Sequence, residues 1–157
     1  MNFKSIAKTN LLLSSLIVSL GLQALPASAE AVTDAQVSAL VEALRQAAPP
    51  QTANDGMYSQ WQVLPGNISR WAKFCTKQEL TPQQFEADAT KAKTIVTCIV
   101  GDLLRDEYKA SGNNETAAIR RAACWWMTGD SAACKSGATA TYADKVVSVY
   151  QQQQPKK

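Results

Sequence analysis

The chain of 157 residues contains no histidine. Ser-His-Asp and Cys-His catalysis are therefore closed to it, as are the usual zinc sites. Acid–base chemistry falls to carboxylates, with Lys and Tyr as weaker substitutes. Glu42 is the first candidate, and Asp55 and Asp130 are fallbacks in turn-rich segments. The second chemistry-bearing group is aromatic. Residues 56–71, Gly-Met-Tyr-Ser-Gln-Trp-Gln-Val-Leu-Pro-Gly-Asn-Ile-Ser-Arg-Trp, gather Tyr58, Trp61 and Trp71 among turn formers. Exposed rings of this size gain nothing in water, so they pack or bind. Trp125 and Trp126 are neighbours on one helical stretch, so one packs inward and the other turns outward or into a cleft. Arg70, Lys73, Lys77, Lys91 and Lys93 read as solvated charges that could also offer a basic face to an anionic polymer.

The elements that must hold these residues read almost entirely as helix. Thr33-Asp34-Ala35-Gln36 is a capping box, followed by Val37, Leu40, Val41 and Leu44 at helical spacing and stopped by Pro49-Pro50. At about 100° per residue, Glu42 points roughly 150° from the centre of that stripe, mid-helix and on the solvent side. After a polar loop, Asn67 is expected to cap a short helix with Ile68, Trp71 and Phe74 or Cys75 inward. Thr81-Pro82-Gln83-Gln84 opens another helix. The longest, near residues 88–108, is expected to bury Ala92, Ile95, Val96, Ile99 and Leu103 as the central helix of the domain. Helices over about 115–127, with Ala118, Ile119, Ala122, Ala123 and Trp126 inward, and about 141–151, with Tyr142, Val146, Val149 and Tyr150 on one side, complete an all-α domain. Little or no strand is expected beyond a short extended piece within residues 57–64.

Residues 1–29 read as a cleaved leader. Lys4 and Lys8 form a basic start, residues 11–22 an apolar stretch, and Ala27-Ser28-Ala29 a small-residue cleavage site. The apolar stretch is short for a membrane span, so no stable membrane insertion is expected after cleavage. The expectation is an exported protein, periplasmic or extracellular, with one domain over residues 30–150 and a polar tail at 151–157. Of the formal charge of +3, two units belong to the leader, and nothing suggests a nucleic-acid binder. No metal or other cofactor is implied. The even cysteine count suits two disulfides in an oxidising compartment. Three connectivities are possible, and Cys75–Cys98 with Cys124–Cys134 closes the shorter loops.

Three ordered blocks resemble the lysozyme-like superfamily, particularly its lytic transglycosylase and phage-lysin branches. Gly56-Met57-Tyr58-Ser59-Gln60-Trp61-Gln62-Val63-Leu64-Pro65 is similar to that family's Gly-Ala-x-Gly-x-Met/Tyr-Gln-Val-x-Pro segment, with Ser59 in place of the second glycine. Asn67 to Trp71 and Leu80-Thr81-Pro82-Gln83-Gln84-Phe85 look like phage-type members. Ala122-Ala123-Cys124-Trp125-Trp126-Met127-Thr128-Gly129-Asp130 carries aromatics near the family's aromatic–Asn pair. Thr141-Tyr142 and Lys145-Val146 match its last helix. The resemblance implies a single lysozyme-like helical domain that binds or cleaves peptidoglycan, between N-acetylmuramic acid and N-acetylglucosamine. It also implies a glutamate at the end of the first long helix, as general acid and then base. The family's spacing, counted back from Gly56, lands on Leu44. Glu42 is the nearest acid, followed by Ala43-Leu44 where the family carries Ser-Gly. The implied transglycosylase or muramidase would act through Glu42, with Tyr58, Ser59, Trp61, Gln62, Trp125 and Trp126 contacting the glycan. The rival expectation is a non-catalytic, disulfide-stabilised envelope protein that binds glycan or another protein, as an inhibitor or immunity-type factor would.

Overall fold

Thr33 opens the first helix as its residue type requires. Its hydroxyl accepts from the Gln36 amide at 3.2 Å, and the Gln36 side chain accepts from the Thr33 amide at 2.8 Å. Both groups would otherwise be orphaned at the helix start. The computed structural model describes residues 31–52 and 55–154; the expected leader at 1–29 and the last residues of the expected tail lie outside them. The helices are α1 (Asp34–Ala47), α2 (Pro65–Thr76), α3 (Pro82–Ala87), α4 (Ala89–Ala110), α5 (Glu115–Thr128) and α6 (Gly137–Gln152). Among the described residues, the extended structure is a single antiparallel bridge between Tyr58 and Val63, so the protein is all-α.

The helices α1, α4, α5 and α6 pack in a closed ring, α1 on α4, α4 on α5, α5 on α6 and α6 back on α1. Leu40, Leu44, Ile95, Val96, Val100, Leu104, Ile119 and Val146 fill the space between them and are fully buried. Ala118, Ala122 and Ala123, also without exposure, let α5 lie close against its neighbours. Glu115 ties the ring at one end, accepting from Gln36 of α1 at 2.8 Å and from the Tyr150 hydroxyl of α6 at 2.6 Å. Outside the ring, α2 and α3 pack on α4 and on each other. Cys75–Cys98 fastens α2 to α4, and Cys124–Cys134 closes the segment after α5, as the shorter-loop pairing anticipates. Among the described residues no helix is long and apolar enough to cross a membrane.

Several local expectations are corrected. The helix α2 begins at Pro65, with Leu64 in the cap position and no side-chain cap; proline at the first position has no N–H to satisfy, and the Asn67 amide donates to the Leu64 carbonyl at 3.0 Å. Asn67 instead lies in the first turn and accepts from Arg70 at 2.9 Å. Cys75 turns toward α4 and Phe74 turns out, 56% exposed. On α4, Ile99 and Leu103 are only partly buried, whereas Val100, Gly101, Leu104 and Glu107 are buried. The cause is that α4 is covered from several directions, by α1 and α5 and by α2 and α3, so one apolar stripe does not describe its inner surface. Trp126 and Val149, placed inward from the sequence, are also only partly buried.

Candidate functional site

Met57 to Leu64 folds into a tight hairpin-like loop. Tyr58 and Val63 exchange backbone hydrogen bonds of 3.0 and 2.8 Å, and Ser59 and Gln62 take left-handed backbone angles, φ 64° and 51°. The residues expected to meet a ligand here are occupied by the fold. Trp61 is 5% exposed, and its indole N–H donates to the Val41 carbonyl at 2.9 Å, which pins the loop to α1. The Gln62 amide donates to the Pro49 carbonyl at 2.6 Å. Buried Ser59 donates its backbone N–H to the Glu86 carboxylate. Tyr58, partly buried, borders a separate polar depression of about 640 Å³ with Asp55 and Glu86.

Glu42 lies elsewhere. It edges a depression of about 310 Å³ with Arg45, Gln60, Trp61, Thr90 and Lys93, away from Gln62 and Trp126. Arg45 grips both of its oxygens, Nε at 2.8 Å and Nη2 at 2.5 Å, and Gln46 adds a bond of 2.7 Å. The Arg45 hydrogen bonds outweigh partial desolvation and hold the carboxyl down at about 2. Such a group is ionised across the ordinary pH range and has no proton to donate, so this geometry does not make it a general acid. The helical position explains it: a mid-helix residue opposite the apolar stripe meets the side chains three and four places on. Asp55 receives the amides of Met57 and Thr52 at 2.9 and 3.0 Å, which hold its carboxyl below the usual range. Asp130 accepts from the Ala132 amide at 2.8 Å. Both fallback acids are turn residues.

The aromatic side chains do converge, between α2 and α5. Trp71 stacks on Trp125, with centroids 6.3 Å apart and planes at 22°, and meets Trp126 at 5.5 Å and 37°. On the Trp125 side is a groove of about 510 Å³, floored by Trp71, Phe74, Ile99, Leu103 and Trp125 and edged by Arg70, Asp102, Asp106 and Glu107. On the Trp126 side is a smaller pocket of about 180 Å³ with Trp61, Gln62, Leu64, Met127 and Tyr142. The exposed large hydrophobics among the described residues, Leu64, Phe74 and Met127, all edge these two depressions. The predicted set is thus divided: Trp125 and Trp126 join one aromatic cluster, while Glu42, Tyr58 and Ser59 stand outside it.

Each wall of the larger groove has its own brace. Phe74 and Ile99 adjoin the Cys75–Cys98 bridge, and Trp125 and Trp126 lie inside the loop closed by Cys124–Cys134. Buried Glu107 accepts from Arg121 of α5 at 2.5 Å and from the Ser131 hydroxyl, so its charge is spent on joining α4 to α5. Sequence reasoning misses Phe74, Asp102, Asp106, Ile99 and Leu103 as groove residues; the available signal is spacing, since Arg70/Phe74 and Asp102/Asp106 each sit four apart on one helix face. An aromatic floor with polar edges suits a partly apolar ligand. Among the described residues no three His, Cys, Asp or Glu groups are placed to hold a metal ion. No protein family, curated protein or solved structure matches the chain.

Proposed function

We propose that this chain is an exported, non-catalytic envelope protein that binds peptidoglycan glycan in the groove between α2, α4 and α5. The observation that carries the reading is the partly exposed Trp125, backed by a stack on buried Trp71, with Phe74 exposed beside it. Ring faces of this kind pack on the C–H faces of sugars, while edge carboxylates accept from hydroxyl and amide groups. The groove, at about 510 Å³, falls within the usual span of small-ligand pockets. The ligand class comes from the lysozyme-like resemblance, and the two disulfides suit an oxidising compartment. Binding is favoured over cleavage because Arg45 holds Glu42 ionised and no aromatic platform faces its depression apart from the largely buried Trp61.

Titration with soluble N-acetylglucosamine–N-acetylmuramic acid oligomers tests this through tryptophan fluorescence. Occupation of the groove changes the emission of Trp71 and Trp125 in a saturable way. Phe74→Ser, at a side chain already in solvent, weakens binding about tenfold without loss of folding. An unchanged spectrum, or full affinity in Phe74→Ser, contradicts the reading.

A further inference from the structure

The groove carries two charges of opposite sign that the fold leaves without ion-pair partners. Asp102 pairs with Arg105 and Glu107 with Arg121. Among the described residues, Arg70 and Asp106 join no ion pair, although both edge the groove. They come from different helices, Arg70 from α2 and Asp106 from α4, and both are exposed. Arg70 donates only to the neutral Asn67 amide, at 2.9 Å. Aromatic and aliphatic surface from Trp71, Phe74 and Trp125 is contributed to the same space. A neutral sugar uses the apolar floor and offers the edges only hydroxyl and amide groups, so neither charge meets an opposite charge. A ligand with a carboxylate and an ammonium on one partly apolar body would use all three features: a charge-assisted contact to each edge and ring contact between.

We propose that the groove recognises the peptide stem carried by the glycan, through a zwitterionic amino-acid end whose carboxylate meets Arg70 and whose ammonium meets Asp106. The inference rests on the wall-glycan reading above and narrows it from the sugar to the sugar-linked peptide. Binding is then sensitive to salt, because both contacts lie near the surface. It also requires both charges on the same ligand, which separates it from general attraction to a charged polymer.

Calorimetric titration of the full folded protein with four wall fragments tests it: the disaccharide bearing a stem that ends in a free diamino acid, the same fragment acetylated at the free amine, the same fragment amidated at the terminal carboxyl, and the disaccharide stripped of its stem with the freed lactyl carboxyl amidated. The expected result is about tenfold tighter binding of the intact fragment than of any other. Asp106→Asn removes the preference over the acetylated fragment alone, and Arg70→Gln the preference over the amidated fragment alone. Circular dichroism and urea midpoints of the two variants, unchanged from wild type, report that both fold. Equal affinity for intact and stripped fragments overturns the stem inference and leaves glycan binding standing. Absence of binding for all four overturns both.

Discussion

At the scale of single residues, function turns on which side chains the fold has already engaged. Glu42 and Trp61 look like an acid and a platform in the sequence, yet Arg45 grips the first and the Val41 carbonyl receives the second. Glu42→Gln should leave ligand binding unchanged and cost less than about 1 kcal/mol near neutral pH, because the pair is more than a third exposed. The sign follows from the lowered value. Glu42 titrates at about 2 in the folded chain against an ordinary 4.5, so its contribution is present above about 4.5 and is lost as pH falls through about 2. Urea midpoints of wild type and Glu42→Gln should therefore differ at neutral pH and converge on acidification. Trp61→Phe, which deletes a buried donor and part of a packed ring, should lower stability by about 1–3 kcal/mol with binding retained in the folded fraction. Chemical denaturation beside the fragment titration separates the two effects.

At the scale of elements, the ring of α1, α4, α5 and α6 carries the core, while α2 is attached to it by α4, the Trp71 stack and one disulfide. Replacing both Cys75 and Cys98 with alanine should cost about 2–4 kcal/mol, given the 23-residue separation. Helix content by circular dichroism should largely remain while Trp71 emission shifts, because α2 loses its tether and the ring does not. Lys77, left-handed at φ 61° after α2, is the converse case: Lys77→Gly should stabilise by about 0.5–1 kcal/mol, read as a raised Tm. The helices themselves are legible wherever a local signal exists. The Thr33–Gln36 and Thr81–Gln84 capping boxes both form, since their chemistry is complete within four residues. The shorter-loop cysteine pairing is also present, across separations of 23 and 10 residues. The groove was not legible, because it is assembled from α2, α4 and α5, far apart in sequence. Its decisive detail is rotational: Cys75 turns inward to reach Cys98, and that turns Phe74 outward. No periodicity in residues 65–76 alone distinguishes these two orientations. The start of α6 escaped for another reason, since Gly137 to Ala140 offers small and polar residues with no apolar rhythm.

At the scale of the whole molecule, the fold separates stability from recognition. The helix ring and its part-buried ties at Glu115 hold the chain together, and the α2–α4–α5 face presents exposed Phe74, Arg70 and Asp106 beside the partly exposed Trp125. Each wall of that face adjoins a disulfide, which preorganises the groove and reduces the ordering a ligand must impose. The central claim is that this face binds wall glycan and breaks no bond in it. The most direct measurement incubates purified peptidoglycan with wild type, Glu42→Gln and Trp125→Ala in parallel, scoring retained protein and released saccharide in the same tubes. Phe74→Ser serves as the exposed-residue check on folding. Wild type and Glu42→Gln should be retained equally, Trp125→Ala and Phe74→Ser at least about tenfold more weakly, and none of them should release saccharide. Release of anhydro or reducing sugar by wild type, or undiminished retention of both groove variants, would contradict that claim.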